Sequence, residues 1–324
     1  MSLRGELLRL GLRIFMKRRG GRFSVAAWRD SMRDMEKWVP RPPRNTETSL
    51  VETGRLHFHR IAVPASRPSR HVLYLHGGAY VSGAPIHYRH FTWRIANATK
   101  AHVWALEYQL APENPFPAAL DDAVAAYDWL SGMPAARELF IMGDSAGAGL
   151  VLCLLLRLRD TGARLPDAAV SMSPWTDLAL TGASLRENAA SDPMLAACAL
   201  PSLVRCYLAG ADPRNPYASP LYGDMTGLPP VLIQVGSDEI LRDDAVRMAE
   251  KLKQHNAQSR LEIWRRMPHV FQLFVPMLPE AHQAIAHIGQ FVAEVGQRKP
   301  VRPAPLATGL PGYHGVRPGP ISSN

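Results

Sequence analysis

The sequence predicts an α/β fold with a mostly parallel central sheet flanked by helices, and two observations predict it. Short strand-like runs recur at Val103–Glu107, Leu139–Met142, Ala169–Met172, Val231–Val235 and Leu261–Trp264, with helical periodicities at 118–130, 145–159, 243–254 and 280–294 between or after them. Strands that alternate with helices build βαβ units and hence a parallel sheet. In addition, Val72-Leu73-Tyr74-Leu75 is continuously apolar, the pattern of a strand covered on both faces.

Ahead of this core, residues 3–19 carry Leu3, Leu7, Leu10 and Ile14 at helical spacing with arginines interspersed, an amphipathic helix. A second helix is expected over 24–38, closed by the rigid Pro40-Arg41-Pro42-Pro43 linker. Leu56–Val63 alternates as a half-buried or edge strand does. Residues 178–212 break the strand–helix rhythm with helix-like turns only, an insertion expected over the strand ends. From Pro300 the chain is rich in proline and glycine and is expected to be disordered. The expected organisation is therefore an N-terminal helical segment 1–45, a body 46–297 and a tail 298–324.

The chain has 324 residues, 47% of them hydrophobic and 20% charged, which excludes collagenous, low-complexity and wholly disordered classes. Its net charge of +9 raises nucleic acid or an anionic membrane as a partner. The charge is unevenly placed, however. Residues 1–45 hold twelve Lys/Arg against four Asp/Glu, and 298–324 add four basic residues, so the body 46–297 is slightly acidic. No stacking platform or DNA-reading motif accompanies the basic ends, so no nucleic-acid partner is expected. Weak contact of the N-terminal helix with a membrane surface is the alternative meaning of the charge. Cys153, Cys198 and Cys206 form no Cys-x-x-Cys pair, so neither a disulfide framework nor a zinc site is expected and a cytoplasmic location fits. The apolar run around Leu154–Leu156 stops at Arg157, far short of the ~20 residues that span a bilayer.

Chemistry enters at Gly143-Asp144-Ser145-Ala146-Gly147, a G-x-S-x-G at a strand-to-helix turn. Flanking glycines permit the sharp backbone that exposes Ser145, and the N-terminus of the following helix favours negative charge there. About seventy residues earlier, His76-Gly77-Gly78-Ala79-Tyr80 follows the buried strand. Small residues there let backbone N–H groups of Gly77, Gly78 and Ala79, together with that of Ala146, approach a developing oxyanion. The base of a Ser–acid–His chain order belongs in a loop after the last strand, where His269 lies. The orienting acid belongs after Val231–Val235, where Asp238 and Glu239 are adjacent; local pattern does not separate them. His87-x-x-His90 and the pair His282 and His287 lack converging partner ligands, so no metal and no cofactor are expected.

These blocks, with Tyr108–Asp122 (YQLAPENPFPAALDD) and Ser173–Leu178 (SPWTDL) between them, resemble the hormone-sensitive lipase family of α/β-hydrolases, the bacterial family IV carboxylesterases. The resemblance covers roughly residues 45–295. It implies an α/β-hydrolase fold with a helical cap made of the N-terminal helices and 178–212, and a serine esterase acting on short- to medium-chain acyl esters through an acyl-enzyme. Ser145 would be the nucleophile, His269 the general base, and Gly78, Ala79 and Ala146 oxyanion donors. Aligning the family's acid block on Leu241-Arg242-Asp243 implies Glu239 as the acid, with Asp238 second. The resemblance also implies a homodimer contact through Leu261–Trp264. Two departures stand out. Ala79 replaces the commoner third glycine, and Gln109 replaces an arginine, removing an expected structural ion pair. An amidase or peptidase on the same fold, or a non-catalytic small-molecule receptor, are the competing readings.

Overall fold

Eight strands form one sheet in the order β1-β2-β4-β3-β5-β6-β7-β8. This is seen in a computed structural model that describes residues 2–17, 24–255 and 257–297. The strands are β1 (Glu47–Thr53), β2 (Leu56–Ala62), β3 (Arg70–Leu75), β4 (His102–Glu107), β5 (Glu138–Asp144), β6 (Ala168–Met172), β7 (Val231–Gly236) and β8 (Ser259–Trp264). Pairing is antiparallel from β1 through β2 to β4 and parallel from there to β8. The central strands β3 and β7 are buried at every residue, as strands covered on both faces must be.

Nine α-helices are described: α1 (Leu3–Lys17), α2 (Val25–Glu36), α3 (Arg89–Thr99), α4 (Ala118–Ser131), α5 (Ala146–Asp160), α6 (Ser184–Glu187), α7 (Leu200–Leu208), α8 (Arg242–Gln254) and α9 (Pro279–Gln297). Helices α4, α5 and α8 contribute to the apolar core on one side of the sheet, joined by α7. On the other side α3 and α9 pack Phe91, Ile95, Ala284 and Ile288 against Val72, Tyr74 and Phe140. Helix α5 has all but three of its residues buried, which explains its apolar run without any membrane role. No described helix is long and apolar enough to cross a membrane.

Two elements depart from the expectations. Strand β1 joins β2 through a turn at Gly54 (φ 55°) and takes the outer position, so Leu56–Val63 is not the edge. It escaped notice because nearly all its residues face solvent and it has no alternation to detect. Helix α3 escaped because its buried side includes Thr92 and Thr99; their hydroxyls donate to the carbonyls of Tyr88 and Ile95, four residues back. At the Gln109 departure, Gln109 donates to the buried Asp122 through its backbone and side chain, and Arg55 supplies a cation at 3.1 Å. An ion pair on Asp122 is therefore present, with its cation from another part of the chain. The tail expected from 298 onward lies outside the described residues.

Candidate active site

Ser145 sits between β5 and α5 at φ 53°, ψ −121°, a backbone conformation costly for any non-glycine residue. The surroundings hold it there. Its N–H donates to Met172 O, and its carbonyl accepts from Gly149 N and Trp175 N. A Cβ on Gly147 would lie 2.1 Å from Leu75 O, and one on Gly143 would lie 2.5 Å from Gly147 O. The glycines at the two ends of G-x-S-x-G are therefore space requirements: β5, α5 and the end of β3 touch through backbone alone.

Ser145 remains partly accessible, while His269 and Glu239 are buried. His269 Nε2 lies 2.8 Å from Ser145 Oγ, and its Nδ1 lies 2.7 Å from Glu239 Oε2. The other carboxylate oxygen, Oε1, accepts from Ser173 Oγ at 2.7 Å and from Gly236 N. Ser173 Oγ in turn accepts from Val270 N at 3.0 Å, so one hydroxyl ties the acid to the backbone beside His269. Asn188, from the 178–212 segment, donates to Glu239 O at 2.7 Å.

Asp238, the neighbour with which Glu239 competes in the sequence, points elsewhere. Its carboxylate pairs with the buried Arg9 of α1 at 2.5 Å and accepts from Ser237 Oγ. The structure thus separates two residues that local pattern could not.

Burial works against a charged His269, but the hydrogen bond and charge of Glu239, helped by Asp192 and Asp144, outweigh it and raise its pKa above the ordinary 6.5. Burial pushes the Glu239 carboxyl upward, opposed by donors from His269, Gly236 and Ser173. These opposed pressures keep the pair coupled.

The loop after β3 corrects one expectation. Gly77 N donates to Asp144 Oδ1 at 2.9 Å, so this amide faces the carboxylate and cannot also serve an oxyanion. Asp144 additionally accepts from Tyr74 and Tyr88 hydroxyls; burial raises its pKa to about 6 against these donors. Gly78 (φ 124°) and Ala79 (φ 52°) follow in the left-handed region, and Ala146 opens α5 with an N–H that has no intrahelical acceptor. Among the described residues the amides of Gly78 and Ala79 have no backbone or side-chain acceptor. His76, at the head of the loop, is pushed down to about 4 by burial and is neutral at neutral pH. Its carbonyl accepts from Tyr108 Oη at 2.6 Å. Tyr80 stacks on Tyr207 of α7 with ring centroids 3.8 Å apart.

Sequence reasoning missed Asp144 and Ser173 as members of this network. Both stood inside quoted motifs, at the variable position of G-x-S-x-G and at the head of SPWTDL, with no role attached. The signal that finds them is topological: β5 and β6 are neighbours, so Asp144 at the end of β5 and Ser173 just after β6 meet at the site. Among the described residues no group of three or more His, Cys, Asp or Glu side chains is placed to hold a metal. His90 bonds Leu273 O and His287 lies beside Glu262.

Comparison with known proteins gives this arrangement a family. Residues 72–273 match the α/β hydrolase fold family. The chain belongs to it. An acetyl-hydrolase of Streptomyces hygroscopicus is 47% identical over 231 residues, covering 71% of this chain and 77% of that protein. An esterase of Acinetobacter venetianus is 38% identical over 227 residues, 69% and 75% of the two chains. Among solved structures, an esterase of the bacterial hormone-sensitive lipase family superposes with a TM-score of 0.85 at 39% identity, over 91% of this chain and 98% of that one. The enzyme is thus a hydrolase of the hormone-sensitive lipase branch of the α/β-hydrolases.

Proposed function

We propose that the enzyme hydrolyses short- to medium-chain acyl esters by two-step acyl transfer. The observation that carries this reading is the unbroken hydrogen-bond chain from Ser145 Oγ through His269 to Glu239, with a partly accessible serine at its open end. Ser145 Oγ attacks the ester carbonyl while His269 Nε2 takes its proton. Glu239 holds the imidazole in the tautomer that accepts at Nε2, and its charge stabilises the imidazolium formed. The amides of Gly78, Ala79 and Ala146 receive the oxyanion. His269 then protonates the leaving alcohol, and water, deprotonated by His269, releases the acid.

Helices α1 and α2 and segment 178–212 act as the cap. Contacts that support this gather at the carboxyl ends of the strands: Arg9 with Asp238, Asn188 with Glu239, Arg29 with Val81 O, and Tyr207 with Tyr80. Preference for short acyl groups rests on the acetyl-hydrolase name of a relative that shares 47% identity.

The test is turnover of a p-nitrophenyl ester series from acetate to dodecanoate by the purified enzyme and by Ser145→Ala. The expected result is greatest kcat/KM at the short end and a loss of about 10⁴-fold or more in the variant at unchanged far-UV circular dichroism. Turnover retained by Ser145→Ala would overturn the mechanism. Faster cleavage of aminoacyl amides than of esters would replace the substrate class.

A further inference from the structure

Helix α1 is mounted with its apolar stripe toward solvent. Leu3, Leu7, Leu10 and Ile14 are 77%, 61%, 56% and 50% exposed, whereas Gly5 and Arg9 on the opposite side are buried. The side held to the enzyme is polar in its anchoring. Arg9 pairs with Asp238, Arg13 donates to Ser191 O, Glu6 pairs with Arg266, and Ser2 donates to Glu280. Leu8 packs partly against the body, but the stripe of Leu3, Leu7, Leu10 and Ile14 is left uncovered, where an amphipathic helix on a water-soluble body ordinarily buries its leucines. The outward stripe runs beside an open groove of about 630 Å³ lined by Leu7, Leu8, Leu12, Pro276 and Met277, with Met277 itself exposed. Ser145, Glu239 and His269 do not line this groove.

We propose that the outer face of α1, with Met277, is a docking surface for an anionic lipid interface. Charge selects the occupant. The 45-residue segment that carries the stripe has three times as many basic as acidic residues, which suits anionic headgroups while the leucines enter the acyl boundary. A second copy of this chain would bring two segments of the same sign together, which disfavours pairing through this face. The helix is joined through Arg9 and Asp238 to the residue preceding Glu239, so the docked enzyme presents its site next to the surface where amphiphilic esters collect. The proposal concerns binding and does not depend on the catalytic assignment.

Co-sedimentation with vesicles of phosphatidylcholine alone, and of phosphatidylcholine with phosphatidylglycerol, tests it on the full chain. Wild type is expected to sediment with the phosphatidylglycerol vesicles and to stay in solution with the neutral ones. Leu7→Ser/Leu10→Ser should lower the partition coefficient about tenfold or more, with unchanged far-UV circular dichroism and thermal midpoint as the check that the protein is folded. Leu7→Asp/Leu10→Asp should abolish binding. Three results would overturn the proposal: no binding by wild type, undiminished binding by the serine variant, or a wild-type dimer in sedimentation velocity that the serine variant splits.

Discussion

Ser145 and the loop after β3 are held by backbone packing, whereas Glu239 and His269 are held by side-chain hydrogen bonds from distant segments. Around the serine, three elements meet at distances that leave no room for a Cβ at Gly143 or Gly147. Around the acid, Gly236, Ser173 and Asn188 each contribute one donor, and Arg9 draws the adjacent Asp238 away. Strain at Ser145 is resisted by packing that is nearly all-or-none. The orientation of His269 depends on a sum of individually modest bonds. The first half therefore fails abruptly and the second by degrees.

Three substitutions sharpen this contrast. Glu239→Gln keeps the shape but removes the charge, and a loss of about 10⁴-fold in kcat is expected, as for triads whose orienting acid is replaced by its amide. It should also move the pH profile. Glu239 raises His269 above 6.5 against the downward pull of burial. The base must be neutral to work, so the acid limb of kcat/KM in wild type should have its midpoint above pH 6.5. Without the charge, burial dominates and the limb should move to lower pH; an unmoved limb would separate Glu239 from the titration of His269.

A smaller effect is expected at Ser173→Ala. It deletes one hydrogen bond to a carboxylate, ~1.5–3 kcal/mol in general, so kcat should fall about tenfold or somewhat more with KM little changed. A rise in KM at constant kcat would show that Ser173 serves substrate binding and not the base. Smallest of all, Asp238→Asn should change kcat by no more than about threefold, because its partner Arg9 lies outside the hydrogen-bond chain. A loss approaching that of Glu239→Gln would reverse the assignment of the acid.

The same contrast decides how much could be read from the sequence. The serine turn is local: five consecutive residues state the spacing, the glycines and the helix start, and the strand–helix rhythm places the turn at the end of a central strand. The acid is not local. Asp238 and Glu239 are neighbours with the same charge, and what separates them is Arg9, more than two hundred residues away, and Ser173 just beyond the neighbouring strand. Gly77 looked like a donor because a glycine loop does not reveal which of its amides is already engaged; Asp144 decides that. Strand β1 was hidden because both its faces are wet. Helix α3 was hidden because threonines that bond their own backbone stand on its buried side.

The stack between Tyr80 and Tyr207 links two parts of the enzyme usually regarded as separable. One ring closes the loop whose amides are proposed to receive the oxyanion, and the other belongs to α7 within the segment proposed as the cap. Exchanging 178–212 for the corresponding stretch of a relative, as a way to change substrate range, would therefore also reset the geometry that governs rate. On the proposed roles, selectivity and turnover would share this joint, and a graft would have to carry both tyrosines together.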